Sequence, residues 1–235
     1  MQKRVLGWLV NDLGYTYLGN LEDVDNTCVK EDLLRKNLKK RGYSKEQIDK
    51  AVNELVLKTK NQVDSLYSIN KEVYALLRYG KQGVRDNNGN RPTVHYIDWT
   101  NIDNNDFYVA EEVSVLREDN STRKRPDVVI YINGIVLGIF ELKSSYVSSG
   151  KGIRQLLQNQ KKENIQNFFS TAQLLFAGNE SEGLFYGTIR TPEKYYLKWK
   201  EDKKPTDSLS AKIKTLQIKE VNRLRDGVIS LCQKE

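Results

Sequence analysis

At 235 residues the chain is long enough for one sizeable core, or for one domain with an appendage, and needs no staples to hold a small fold together. Thirty-eight Lys and Arg against 31 Asp and Glu leave a formal charge of +7, which favours a polyanionic partner or a negatively charged surface without selecting between them. Cys28 and Cys232 have no metal-ligand spacing, which argues against a disulfide framework or a zinc site and suits a reducing compartment. The N-terminal apolar stretch is cut short by Asn11 and Asp12, too soon for a signal peptide or a membrane span, so a cytoplasmic location is expected.

Val5, Trp8, Leu9 and Leu13 at helical spacing predict an amphipathic helix over 3–13, with Gly14 as its stop. After a polar link over 19–27, Leu33, Leu34 and Leu38 predict a helix over 31–41 that ends at Gly42. Ser44 opens the next, with Gln47 in the capping-box position and Ile48, Val52, Leu55 and Val56 as its stripe. A fourth helix is expected over 66–79, its basic and tyrosine-bearing faces read as solvated surface. Gly, Asn and Asp over 84–91 mark a loop, beyond which the periodicity turns extended. Strands are expected over 93–97, 107–116, 127–131 and 136–142, with a charged loop over 117–125. A Ser/Gly link over 144–152 then leads to a helix over 153–162, which 166–169 continues. Short strands follow at 171–177 and 184–188, and Pro192 and Pro205 bracket an aromatic piece over 195–199. The expected organisation is a helical part to about residue 80, a core sheet over about 93–188 and a domain end near 205. Residues 206–235 would form a polar helical segment whose thin apolar stripe needs another surface.

The most informative stretch runs from Arg125 to Lys143, two β-branched apolar runs joined at Asn133-Gly134, a strong hairpin signal. Asp127 opens the first run, while Glu141 and Lys143 close the second. Charge in a sheet is costly unless compensated, and Glu141 and Lys143, two apart on a strand, share a face. Mg²⁺ takes hard oxygen ligands, so Asp127 and Glu141 are suitable types and the backbone carbonyl of Leu142 would add a third. Lys143 would stabilise charge building on a phosphorus centre.

Geometry poses a difficulty for this reading. With a strict two-residue turn, Asp127 falls opposite Phe140 and on the wrong face for Glu141. Convergence then needs a three-residue loop, a bulge or a bend at Pro126-Asp127, and the proline favours the bend. A hairpin whose rim merely carries an Asp, a Glu and a Lys would satisfy the same loose spacing. His95, the only histidine, reads as a structural or surface residue, and Asp98 as a turn or cap residue.

Pro126-Asp127 followed by Glu141-Leu142-Lys143 resembles the PD-(D/E)xK nuclease signature. More specifically, the whole run 125–143 resembles the N-terminal nuclease domain of type I restriction enzyme R (endonuclease) subunits. So do Leu13-Gly-Tyr-Thr-Tyr-Leu-Gly19, Ile97-Asp98-Trp99, Asn105-Asp-Phe-Tyr-Val109 and Tyr186-Gly-Thr188 leading to Trp199, and the likeness spans about 2–204. The resemblance implies an α/β, restriction-endonuclease-like core with a mixed, mostly antiparallel central sheet flanked by helices. It implies Asp127 and Glu141 as ligands of Mg²⁺, Lys143 as the catalytic lysine and double-stranded DNA as the substrate.

The Q-x-x-x-Y element of that family falls on Gln155, with Asn159 standing where the tyrosine would be, so Gln155 is expected to touch DNA or brace the site. Arg123, Lys124 and Arg125 would hold the DNA backbone without reading bases. Methyltransferase and specificity subunits would supply sequence recognition. ATP would be used by motor domains, since no G-x-x-x-x-G-K-[ST] occurs here, and 206–235 would be the approach to them. Two other readings stay open: a non-catalytic DNA-binding or assembly domain with a nuclease-like fold, and a stand-alone repair or resolvase-like nuclease.

Overall fold

The computed structural model describes residues 1–61, 63–83 and 89–199. The chain opens with Gln2–Gly7 (α1), which runs into a π-helical turn over Trp8–Asp12, and Val5, Leu6 and Leu9 are the side these turns bury. Thr16–Asn20 (β1) follows, then Glu31–Lys40 (α2), Lys45–Thr59 (α3) and Leu66–Tyr79 (α4), the three helices lying where the apolar spacing predicts them. The capping box of α3 is formed: Ser44 Oγ accepts from the Gln47 N–H at 3.3 Å and Gln47 Oε1 from the Ser44 N–H at 2.9 Å. Ser44→Ala should therefore cost about 1 kcal/mol of stability. An unchanged thermal midpoint would show that water replaces the cap.

The sheet-forming part comprises Phe107–Glu111 (β2), Val115–Leu116 (β3), Arg123–Lys124 (β4), Val128–Ile132 (β5) and Ile135–Leu142 (β6), then Ser149–Asn159 (α5), Leu174–Asn179 (β7), Gly183–Gly187 (β8) and Leu197–Lys198 (β9). Seven of these strands form one sheet in the order β1-β2-β5-β6-β7-β8-β9, while β3 and β4 pair separately. The β1–β2 and β6–β7 pairs are parallel and the other four antiparallel, which gives the mixed, mostly antiparallel α/β sheet flanked by helices that the sequence implied. β5 and β6 lie at its centre and are buried along nearly their whole length, so their apolar residues run continuously instead of alternating. Phe140 stacks on Phe176 with ring centroids 4.4 Å apart, tying β6 to β7 inside the core.

Several expected boundaries move. The strand expected over 107–116 breaks after Glu111, because Glu112 takes φ +50° and cannot continue the pleat. The residues over 93–97 make no strand, and Val94 forms only an isolated bridge with Lys81. The polar link contains part of β1, the charged loop contains β4, and α5 begins within the supposed Ser/Gly link, where Ser148 Oγ caps it by accepting from the Gly150 N–H. Residues 84–88 of the expected loop, Pro205 and the helical segment expected over 206–235 lie outside the described residues. Among the described residues no helix is long and apolar enough to cross a membrane.

Candidate active site

The Asn133-Gly134 turn fixes where the strands of the hairpin meet. Asn133 and Gly134 have φ of +53° and +84°, the positive values a type I′ turn needs at both central positions. Ile132 pairs with Ile135 and Tyr131 with Val136, as a two-residue turn dictates. The register then shifts by one residue, so that Ile130 faces Gly138, Val129 faces Ile139 and Val128 faces Phe140. Leu137 is the extra residue of a β-bulge. Continued one step, the shifted register sets Asp127 opposite Glu141, and opposed residues share a face. The chain does bend at Asp127, but the bend expected there is not what aligns the acids; the bulge has already done so.

Around these acids the polar contacts are short and specific. Asp127 Oδ2 accepts from the Leu142 N–H at 2.5 Å. The Leu142 carbonyl projects to the same side, since both backbone groups of an extended residue face one neighbouring strand. Lys143 Nζ donates to Glu141 Oε1 at 2.6 Å and to Gln155 Oε1 at 2.8 Å. Gln155 can reach because α5 lies close against β6 at Gly152, where a Cβ would come within 3.0 Å of the Glu141 carbonyl oxygen and 3.2 Å of Ala177 Cβ. Asn159, on the next turn of α5, is buried, and its Oδ1 has no hydrogen-bond partner among the described residues.

Glu141 is 1 % exposed, and its Oε2 has no hydrogen-bond partner among the described residues. Burial first, and the neighbouring Asp127 second, push its carboxyl up to about 7, so the bond from Lys143 only partly offsets them. Burial raises Asp127 too, against the Leu142 N–H and the Lys143 ammonium. Two acids that resist ionisation, one with an oxygen facing no donor, suit a hard cation that would remove both penalties. Among the described residues no three His, Cys, Asp or Glu side chains converge as a complete cage. Asp127, Glu141 and the Leu142 carbonyl therefore fit Mg²⁺, which keeps several waters, better than an ion enclosed wholly by protein.

Spacing gave no reason to suspect two further residues that reach this place. The Glu112 N–H donates to the Asp127 carbonyl at 2.9 Å, and its carboxylate accepts from Gln2 Nε2 at 2.9 Å and pairs with Arg125 Nε at 2.8 Å. Its charge raises both Asp127 and Glu141. Gln2, on α1, also donates to Glu111 Oε2 at 3.1 Å. The adjacent acids Glu111 and Glu112, at and just past the end of the mostly buried β2, are the sequence signal for this arrangement.

Other expected contact residues are engaged elsewhere. Arg125 also pairs with Glu22 and Arg123 with Asp25, while Lys124 lies half-buried on β4. His95 is exposed; its N–H donates to Tyr43 Oη at 3.1 Å and its carbonyl accepts from Arg41 Nη1 at 2.7 Å. Asp98 Oδ1 accepts from the N–H groups of Thr100 and Asn101, as a turn residue does.

Residues 1–194 match the family described as type I restriction enzyme R protein N terminus. A protein of Methanocaldococcus jannaschii with the provisional name type I restriction enzyme MjaIXP endonuclease subunit is 34 % identical over 119 residues, which is 48 % of this chain and 11 % of that protein. The type I restriction enzyme HindI endonuclease subunit of Haemophilus influenzae is 26 % identical over 147 residues, 60 % of this chain and 14 % of that protein. The matched part is thus a small fraction of the length of these relatives.

Proposed function

Because the chain belongs to the type I restriction enzyme R protein N-terminal family, we propose that it is the magnesium-dependent endonuclease domain of such an enzyme and hydrolyses phosphodiester bonds of double-stranded DNA. The observation that carries this reading is the Glu141 carboxylate, held in the core with one oxygen on Lys143 and the other facing no donor among the described residues, opposite Asp127. A structural acid so placed is costly and would have acquired a partner; a ligand-binding acid has to leave an oxygen available.

Asp127, Glu141 and the Leu142 carbonyl would hold the ion, and Lys143 would lie against the phosphate. Mg²⁺ there would supply Lewis-acid polarisation of the phosphate and of an attacking water. The protein's own share is positioning. The bulge at Leu137 brings the acids to one face, the Leu142 N–H fixes the Asp127 rotamer, and Gln155 steers the Lys143 ammonium. Lys143 would meet the negative charge that builds as water enters in line with the departing 3′ oxygen. Asn159 provides no tyrosine hydroxyl, so the bracing here rests on Gln155. Methyltransferase and specificity subunits would select the site on DNA, and motor domains beyond the matched region would consume ATP.

The test is Asp127→Ala in the assembled restriction complex. Cleavage should fall by about a hundredfold or more while duplex binding and ATP turnover persist. Undiminished cutting would leave only a DNA-binding or assembly role with a nuclease-like fold. Cleavage by the isolated 235-residue chain, needing no partner, would favour a stand-alone nuclease.

A further inference from the structure

We propose, on the basis of the endonuclease reading, that Glu112 is a third acid of this cation site, held back by Arg125, and that a DNA phosphate arriving at Arg125 releases it. Glu112 follows the last paired residue of β2, its N–H donates to the Asp127 carbonyl at 2.9 Å, and Gln2 Nε2 reaches both Glu112 Oε1 at 2.9 Å and the Asp127 carbonyl at 3.4 Å. Three acids thus lie near one another at neighbouring ends of β2, β5 and β6. Glu112 holds φ +50°, a left-handed conformation unfavourable for a residue with a Cβ, immediately beside Asp127.

Glu141 and Glu112 differ in what occupies them. Glu141 Oε2 is buried without a partner among the described residues, whereas Glu112 has Oε1 on Gln2 and Oε2 on Arg125. This accounts for a site with an available ligand oxygen but no complete cage. The restraint is also exchangeable. The Arg125 side chain is 46 % exposed against 22 % for Glu112, so the guanidinium that holds the acid is open to solvent and to an incoming phosphate. A backbone phosphate offers the guanidinium a bidentate, charge-assisted partner instead. Phosphate binding and cation binding would then reinforce one another, and the site would assemble fully only on DNA.

The experiment measures Mn²⁺ binding to the 235-residue chain without DNA, by calorimetry or by the resonance signal of free Mn²⁺, so no catalysis is required. Arg125→Gln should tighten Mn²⁺ roughly threefold to tenfold by freeing Glu112, whereas Glu112→Gln alone, with the acid already held by Arg125, should change it much less. In the Glu112→Gln background, Arg125→Gln should change affinity by no more than about twofold, because a freed Glu112 is then missing. Separately, duplex binding in EDTA should weaken in Arg125→Gln, with the salt dependence flattened by about one phosphate contact.

If the two substitutions act additively on Mn²⁺, Arg125 merely repels the ion through space and the proposal is wrong. If Asp127→Asn abolishes Mn²⁺ binding while Arg125→Gln leaves it unchanged, the endonuclease reading stands and the third acid is overturned. If the parent chain binds no Mn²⁺, both fall together.

Discussion

Glu141→Gln should abolish magnesium-dependent cleavage and yet raise the melting temperature of the cation-free chain at pH 8. The two effects have one cause. In the folded chain the Glu141 carboxyl keeps its proton up to about pH 7, whereas in the unfolded chain it gives it up near the ordinary value of about 4.3. Between those values the folded state binds more protons, so the contribution of Glu141 to stability falls as pH rises through the window and stays low above it. A glutamine never ionises, and its amide turns an oxygen lacking a donor into a donor facing the Asp127 charge. At pH 8 in EDTA the variant should gain about 1–3 kcal/mol, a rise of several degrees, and at pH 4 the gain should vanish. Thermal melts at both pH values in EDTA check this, alongside cleavage assays. A variant that melts below the parent at pH 8 would mean that the Lys143 bond outweighs burial and Asp127. Saturating magnesium should reverse the order at pH 8, since it stabilises the parent and not the variant.

The acids that make this trade-off were visible in the sequence, but the geometry that joins them was not. Asn133-Gly134 announced the turn because both positions need positive φ, and Asp127, Glu141 and Lys143 stood out as charges in apolar strands. The bulge was hidden for the same reason that β6 is stable. Ile135 to Phe140 is buried on both faces, so a one-residue slip exposes no misplaced side chain and leaves no break in a pattern. β1 was missed because it is a short edge strand whose residues are half-buried or exposed. The start of α5 was obscured by Gly150 and Gly152, which resemble a linker, whereas Gly152 is required by the close approach of the helix to Glu141. The sequence shows Arg123 and Arg125 only as cations suited to a DNA backbone, because Asp25 and Glu22, which pair with them, lie about a hundred residues earlier in the chain, although Arg125 has a nearer partner in Glu112. Nothing local in a sequence reports a contact of that range.

The largest stability effect is expected far from the acids, at the turn that sets their register. Gly134→Ala should cost about 3 kcal/mol or more, while Gly14→Ala should cost only about 1 kcal/mol. Both glycines have positive φ, +84° and +69°, so the backbone penalty is similar. The difference is space: a Cβ on Gly14 meets nothing within 4 Å, whereas on Gly134 it comes within 2.6 Å of the Lys30 carbonyl oxygen and 2.8 Å of Leu33 Cβ. Neither side can easily give way. The Gly134 carbonyl accepts from the Lys30 N–H at 2.7 Å, and α2 starts at the next residue. Asn133 is fully buried, its Nδ2 donating to the Tyr96 carbonyl and to Asn105 Oδ1, both at 2.8 Å, and its Oδ1 accepting from the Asp106 N–H at 2.7 Å. A turn clamped on both sides can relieve the clash only by releasing α2 or shifting the strand pairing. A shift of one residue would carry Glu141 to the opposite face from Asp127 and dismantle the cation site. Denaturant melts of the two variants should therefore separate by about 2 kcal/mol, and Mn²⁺ affinity of the fraction of Gly134→Ala that remains folded should drop while that of Gly14→Ala holds. Equal losses in the two variants would show that the contact with α2 is soft and that the turn does not dictate the register of the acids.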